Sequence, residues 1–434
     1  MSGPRIKAPR GTFDVLGEQA ESRSALEVRA RAILQGAGYE RIETPAFEAT
    51  ELFARGVGEA TDIVRKEMFT FEDAGGRSLT LRPEGTAPVC RAYLEHGMHK
   101  RRQPVKLWYL SSFFRHERAQ AGRYRQFWQL GAEAIGSDDP AVDAETIVLL
   151  SSLLAEVGVR DVRLRLCSLG SPQTRGEYRE RLQAHLRSHE SSLAPEVRGR
   201  IEANPLRAFD SEHEGTRRVM RSAPRLLEHL DAGDRAHFEA VRELLDDAGI
   251  AYEIDSTLVR GLDYYTRTVF EFTSDALGAQ SGVGGGGRYD GLIELLGGSP
   301  TPGVGWAAGI ERMLLASGSS GGTLDSERSR DSGTGSAAAP VELFLARAEP
   351  RSAADRRTAF ALLCAARSAG LRAQMELGGR SLKGQLSHAD ALGARYVAIV
   401  SERQASLRDM QEGRQEEIAS DAVVHAVLRG LRTL

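Results

Sequence analysis

Cysteine is scarce in this chain: Cys90, Cys167 and Cys364 are the only three among 434 residues. They lie far apart and no two form a CxxC pair. That excludes a disulfide framework and a cysteine-built zinc site. Long apolar runs are missing as well. None approaches the roughly 20 residues needed to span a bilayer, so no membrane-spanning helix is expected. The first residues, MSGPRIKAPRGTFDVLG, contain no apolar h-region, which argues against secretion and for a reducing cytoplasm. An excess of one charge is lacking too, since 57 Lys and Arg against 60 Asp and Glu give a formal net charge of −3. Global charge therefore gives no sign of nucleic acid. Local clusters such as His99-Lys100-Arg101-Arg102 and the arginines of 115–125 can still meet phosphates. No internal repeat is visible.

What is present is ordinary for a folded protein, with 41% hydrophobic and 27% charged residues. The length admits two or more domains. The clearest boundary is 316–340, ASGSSGGTLDSERSRDSGTGSAAAP, whose only large apolar residue is Leu324. Such a segment cannot bury enough to order itself and is expected to be a flexible linker. Beyond it, strands are predicted over 341–348, 371–377 and 395–401, and helices over 352–368, 380–392 and 416–432. This alternation suits a small α/β domain. Ahead of the linker, a helix is predicted over 18–37 and strands over 78–82, 105–114, 127–135, 162–167 and 267–273. Residues 171–250 carry a mostly helical, polar pattern and read as an insertion. Strands grouped with helices to one side favour an α+β class over a doubly wound sheet.

Five segments could carry chemistry. In FRHERAQAGRYRQF (114–127), Arg115, Arg118, Arg123 and Arg125 with Glu117 occupy the loop of a predicted hairpin. Arginine presents a planar fork of donors suited to phosphate oxygens. A solvated charged loop is the plain alternative. In LRPEGTAPV (81–89) a strand ends at a turn and a helix begins. Thr86 could be its N-cap, while Glu84 could bind an ammonium group. In LVRGLDYYTRTVFEF (258–272), Arg260, Asp263, Tyr264 and Tyr265 lie between apolar segments, and a tyrosine-capped strand edge is the bland reading. GVGGGGRYDG (282–291) contains a literal GxGxxG, but strand, turn, helix and acidic residue are not placed for a dinucleotide site and no GK[ST] follows. Its glycines are expected to permit close backbone approach to a ligand or tight sheet packing. In TPGVGWAAGIERMLL (301–315), Arg312 lies inside an otherwise apolar helix.

Taken together and in this order, the segments resemble the histidyl-tRNA synthetase family over nearly the whole chain. RGTFDVL resembles the family's opening segment, leaving no room for a transit peptide. ETPAFEATELFARGVGEATDIVRKEMFTF (43–71) resembles motif 1, the dimer-interface motif of class II synthetases, while 114–127 resembles motif 2 and 303–315 motif 3. LVRGLDYY (258–265) and GGRYDGL (286–292) resemble histidine-specific motifs, and 380–400 the family's anticodon-binding domain.

The resemblance implies an α+β fold: a class II antiparallel sheet flanked by helices over 1–315, with a helical insertion at 171–250. A linker over 316–340 and an α/β anticodon-binding domain over 341–434 would follow. It implies a homodimer that activates L-histidine with ATP, accompanied by Mg²⁺, and charges tRNA(His). By the same resemblance Arg115 and Arg312 contact the α- and γ-phosphates, and Glu117, Arg123, Arg125 and Phe127 complete the ATP site. Glu84, Thr86 and Gln129 hold the amino group of histidine. Glu133 and Tyr265 pair with the imidazole, with Tyr264 and Tyr289 closing the pocket. Arg260 is the catalytic cation between carboxylate and α-phosphate, and Gln120 faces the tRNA acceptor end. The sequence departs from the family pattern at Ala119, at Ser111-Ser112, in its four glycines at 284–287 and in a longer linker. None of these removes a charged group. The rival is a paralogue serving as regulatory subunit of ATP phosphoribosyltransferase. It resembles only the catalytic domain and has a degraded 258–265 motif, which is intact here.

Overall fold

The computed structural model describes residues 6–58, 61–117, 122–202, 205–258, 262–278, 281–318 and 341–432. Among the expected site residues, Arg260 and Gln120 lie outside them, as do Arg118, Ala119 and residues 319–340 of the expected linker.

The strands in chain order are β1 (Glu40–Arg41), β2 (Phe47–Ala49), β3 (Phe69–Glu72), β4 (Ser78–Leu81), β5 (Val105–Phe114) and β6 (Gln126–Ile135). Then follow β7 (Val162–Ser168), β8 (Glu253–Ile254), β9 (Thr266–Ser274), β10 (Gly282–Arg288) and β11 (Gly303–Gly309). The last are β12 (Leu343–Arg347), β13 (Ala373–Met375), β14 (Tyr396–Val400), β15 (Gln404–Asp409) and β16 (Gln415–Ala419). Eight of them form one sheet in the order β1-β5-β6-β11-β10-β9-β7-β8. Its six inner strands pair antiparallel, and only the short edges β1 and β8 are parallel to their neighbours. The class is α+β, as expected.

Alternation along the strands gives this sheet two working faces. Trp108 of β5, Leu130, Ala132 and Ala134 of β6, Phe270 and Phe272 of β9 and Trp306 of β11 bury into one core. That core is closed by helices Glu18–Gly36, Pro140–Glu156 and Ala232–Asp247. Their neighbours point the other way. Tyr109, Phe113, Ile135 and Val269 join a second core with Cys90 and Tyr93 of helix Thr86–Glu95, and with Tyr178 and Leu182 of helix Pro172–Ser188. Helices Pro172–Ser188, Pro195–Arg198, Glu214–Arg221 and Ala232–Asp247 occupy most of 171–250. A small antiparallel sheet, β2-β4-β3, stands apart in the motif 1 region.

The glycine-rich stretches become strands, in keeping with the tight sheet packing expected of the glycines at 282–291, although no strand was expected there. A Cβ added at Gly286 would lie 1.9 Å from the carbonyl oxygen of Gly305, and one at Gly284 would lie 2.7 Å from the Cβ of Ala308. β10 therefore fits between β9 and β11 because it has almost no side chains.

The C-terminal strands form a five-stranded sheet, β13-β12-β14-β15-β16. The helix expected over 416–432 is corrected here. Residues 415–419 are a strand paired antiparallel with β15, and the helix begins only at Val423. QEEIA is almost wholly exposed, as suits a solvated edge strand, whereas the apolar spacing of Val423, Val427 and Leu431 suits a helix. This sheet packs on the rest of the chain. Leu343, Leu345, Phe360 and Met375 belong to the same buried cluster as Leu34 and Ile147. Within the contact, Glu145 accepts from Lys106 at 3.0 Å and from Arg367 at 2.8 Å.

Candidate active site

A cleft opens on the second face of the large sheet. One end is cationic. Arg115, Glu117 and Arg123 reach it from the β5–β6 connection, and Arg312 from helix Ile310–Ser317. The Arg115 Nε donates to the carbonyl of Pro83 at 2.9 Å, and its guanidinium lies 5.4 Å from the centre of the Phe127 ring. Glu117 stands between Arg123 (3.4 Å) and Arg115 (3.9 Å). Arg312 donates to the carbonyls of Gly122, at 3.2 Å, and Gly282. Burial, with Arg123 nearby, holds the Arg312 guanidinium below its ordinary pKa. The clustering of these cations is a local potential that favours an anion.

Helix Ile310–Ser317 is fixed by Glu311, whose carboxylate accepts from the backbone N–H of Trp128 at 3.1 Å and pairs with Arg23. Arg125 does not line the cleft. Its amide donates to Gly11 O at 2.8 Å and its side chain braces the carbonyl of Glu117 at 3.4 Å.

The other end is built from carboxylates, tyrosines and amides. Glu84, Gly85 and Thr86 line it from the N-terminus of helix Thr86–Glu95. The N-cap position is Gly85 and not Thr86, as the sequence had suggested. The capping group is the Glu84 carboxylate, which accepts from the amides of Thr86 at 2.7 Å and Ala87 at 3.0 Å. This frees the Thr86 hydroxyl, which donates to Glu133 Oε1 at 2.8 Å. Burial raises the Glu84 pKa, against those two amides.

Gln129 lines the cleft from β6, and its side-chain oxygen is buried with no hydrogen-bond partner among the described residues. Tyr264 and Tyr265 line it from the segment before β9. Glu133 and Tyr289 are not in the lining. They sit behind it, with Tyr289 donating to Glu133 Oε2 at 2.7 Å. Gly305 makes room for that carboxylate, because a Cβ there would lie 1.8 Å from Glu133 Oε2. Burial pushes the Glu133 carboxyl up to about 8, against the Tyr289 and Thr86 donors.

Of the expected site residues, the structure thus gathers Arg115, Glu117, Arg123, Arg312, Phe127, Glu84, Thr86, Gln129, Tyr264 and Tyr265 around one cleft. Sequence reasoning did not single out Tyr109, Tyr124 or Glu271, which also line it. Glu271 was findable. It sits between Phe270 and Phe272 on a strand of period two, so it must face away from the apolar core.

Clustered arginines at one end of a cleft and Glu84, Gln129 and two tyrosines at the other, on an antiparallel sheet with a separate C-terminal α/β unit, match the class II aminoacyl-tRNA synthetases. Two family models match the chain: that described as histidyl-tRNA synthetase over residues 11–313, and that described as anticodon binding domain over residues 357–429. A protein of Desulforamulus reducens named histidine–tRNA ligase is 46% identical over 416 residues, covering 95% of this chain and 96% of that one. One of Halorhodospira halophila with the same name is 45% identical over 439 residues, 99% of each chain. The structure of apo S. aureus histidyl-tRNA synthetase superposes with a TM-score of 0.62 at 36% identity, covering 98% of this chain and 100% of that one. A Bacillus halodurans protein described as an ATP phosphoribosyltransferase regulatory subunit/histidyl-tRNA synthetase shares the fold, at 22% identity and TM-score 0.55. The chain belongs to the histidyl-tRNA synthetase family. The regulatory paralogue is disfavoured by full-length similarity to the ligases.

Proposed function

We propose a division of labour for this cleft in the ligation of histidine to tRNA. The chain is a histidine–tRNA ligase: it forms histidyl-adenylate from histidine and ATP, then passes histidine to the 3′-terminal adenosine of tRNA(His). The carboxylate of histidine attacks the α-phosphorus and pyrophosphate leaves. Both reactants are anions, so fixed cations must offset their repulsion and the charge that builds on the phosphoryl oxygens. Arg115 and Arg312 take the α- and γ-phosphates, Arg123 and Glu117 complete the nucleotide end, and Phe127 stacks on adenine. Arg125 acts from behind, by bracing Glu117. Arg260 is the cation between carboxylate and α-phosphate.

Glu84, Thr86 and Gln129 take the ammonium group, and the unpartnered Gln129 oxygen is an acceptor suited to it. Tyr265 and Glu133 take the imidazole nitrogens, with Tyr264 and Tyr289 around them. Glu133 must then exchange its Thr86 or Tyr289 partner for the ligand. A pocket of paired polar groups rejects analogues that leave them unpaired, by about 10⁴–10⁵. No protein nucleophile is needed, because positioning supplies most of the acceleration.

Mg²⁺ fits this reading. It is usually held by one or two carboxylates together with phosphate oxygens, and Glu117 and Glu271 are the carboxylates beside the cationic end. The ion would neutralise charge on the β- and γ-phosphates.

The remaining assignments are of the same kind. Residues 1–315 form the catalytic domain with an insertion at 171–250, 316–340 the linker and 341–434 the anticodon-binding domain. Gln120 approaches the acceptor end. The chain pairs as a homodimer through the motif 1 sheet, where Phe47 and Phe71 are 49% and 42% exposed with rings 6.1 Å apart. The location is cytoplasmic. No helix among the described residues is long and apolar enough to cross a membrane.

The observation that carries the site reading is that guanidinium groups from two distant segments, around Arg115 and Arg312, share a cleft with Glu84 and Tyr265. Histidine-dependent ATP–pyrophosphate exchange tests it, followed by tRNA charging. Arg260→Ala should abolish exchange in a folded, dimeric protein. Near-normal exchange by that variant would refute its role.

A further inference from the structure

Tyr264 and Tyr265 reach the cleft across an irregular join. The β9–β10 register slips between Gly287, opposite Val269, and Arg288, opposite Thr266, so β9 bulges at Arg267 and Thr268. Arg267 sits in the bulge with φ +45°, a left-handed conformation that a residue with a Cβ rarely adopts. Such a conformation persists only where the surroundings impose it.

Here the surroundings are the residues just after β7 and the insertion that follows them. The Arg267 amide donates to Gly170 O at 2.8 Å, and the Leu169 amide donates to Arg267 O at 2.7 Å. The Arg267 side chain donates through Nε to Asp234 Oδ1 at 2.9 Å. Asp234 is almost wholly buried, and its other oxygen accepts from the Ser171 amide at 2.6 Å and the Thr174 hydroxyl at 2.9 Å. Ser171 caps helix Pro172–Ser188, and Asp234 lies in the first turn of helix Ala232–Asp247. One carboxylate therefore ties two insertion helices to the bulge near the start of β9. From the first of these helices, Arg175 also donates to the carbonyl of Tyr265.

We propose that Asp234 is a positioning residue for the amino-acid end of the cleft. By anchoring Arg267 in its left-handed conformation, it fixes the direction in which Tyr264 and Tyr265 enter. The inference rests on the reading that these tyrosines close on histidine. Asp234 lies outside the cleft lining, and the phosphate-facing Arg115, Arg123 and Arg312 lie on other elements, so its loss is expected to act first on the amino-acid end.

The test is histidine-dependent pyrophosphate exchange by the full chain, with both substrates titrated. Asp234→Asn keeps size but weakens the pairing, and is expected to raise KM for histidine by roughly tenfold while leaving KM for ATP unchanged. Adding Arg267→Gly should recover most of that loss, because glycine adopts positive φ without an anchor. A general folding defect would not be rescued by removing a side chain. If Asp234→Asn does not accumulate, Arg267→Ala and Arg267→Gly are compared, and only the alanine variant should show the split. Equal changes in both KM values, no change, or no rescue by glycine overturns the proposal. Tyr265→Phe separates the two levels. A raised KM for histidine there with none in Asp234→Asn defeats this inference alone. No effect of Tyr265→Phe defeats the reading beneath it.

Discussion

Thr86 and Glu133, 47 positions apart, are joined by a 2.8 Å hydrogen bond that ties the first turn of a helix to the middle of the large sheet. Tyr289 holds the other carboxylate oxygen. Glu133 is thus a junction of three elements, buried behind the cleft.

That burial has a pH signature. The folded-state pKa of Glu133 lies at about 8, above the ordinary 4.5, so the folded protein binds more protons than the unfolded chain between those values. The associated stability is complete below the unfolded value and is lost as pH rises through 8. Glu133→Gln cannot lose it. Relative to wild type, the variant should gain about 2–3 kcal/mol between pH 6 and pH 9, read by denaturant unfolding at each pH. A pH-independent difference would place the carboxyl among ordinary acids.

Removing a phosphate-facing cation should damage chemistry more than folding. Arg312→Ala is expected to lower exchange by about 10²–10³ while the melting temperature stays near wild type. Unchanged exchange would remove Arg312 from the nucleotide end.

The glycines of β10 and the following turn divide sharply. Gly286→Ala drives a methyl group into the Gly305 carbonyl, whereas a Cβ at Gly291 meets nothing within 4 Å. The first should cost about 1–3 kcal/mol or more and the second should be neutral, by thermal unfolding. Equal effects would contradict the strand packing.

The contact between the C-terminal sheet and the rest of the chain makes a fourth prediction. Glu145 is fully buried, and although burial alone would raise its pKa, Lys106 and Arg367 pull it below the ordinary value. Arg367→Ala removes one of the two and should cost about 1.5–3 kcal/mol. Part of the stability depends on the charged carboxylate, so it is fully present above the unfolded carboxylate pKa and is lost as pH falls through the lowered folded value. The double variant Arg367→Ala/Glu145→Gln should recover none of the loss at neutral pH, because Lys106 then stays buried without its counter-charge. Recovery would mean that Lys106 does not depend on the carboxylate.

Much of this was legible in the sequence. Strands 105–114 and 127–135 were found to within a residue or two, because apolar and aromatic runs of that length suit a strand buried on both faces. The arginines of the β5–β6 connection stood out by type and density. β10 and β11 were not legible, since a run of glycine carries no periodicity and its strand state is set by neighbours distant in sequence. The edge strand 415–419 was read as helix because its polar residues suit either state once no core imposes a period. Thr86 is a parallel case. Its place at a helix start was readable, but the carboxylate behind it comes from β6 and needs the fold to be seen. The same holds for Arg267, whose left-handed backbone leaves no trace in the letters around it.

A strand made of glycine has an evolutionary consequence. β10 contributes backbone and little else to the cleft wall, yet nearly every missense change in its codons adds bulk where none fits. Its sequence should therefore tolerate drift less than that of the arginine-bearing connection opposite, although those arginines hold the charge and these glycines hold only space.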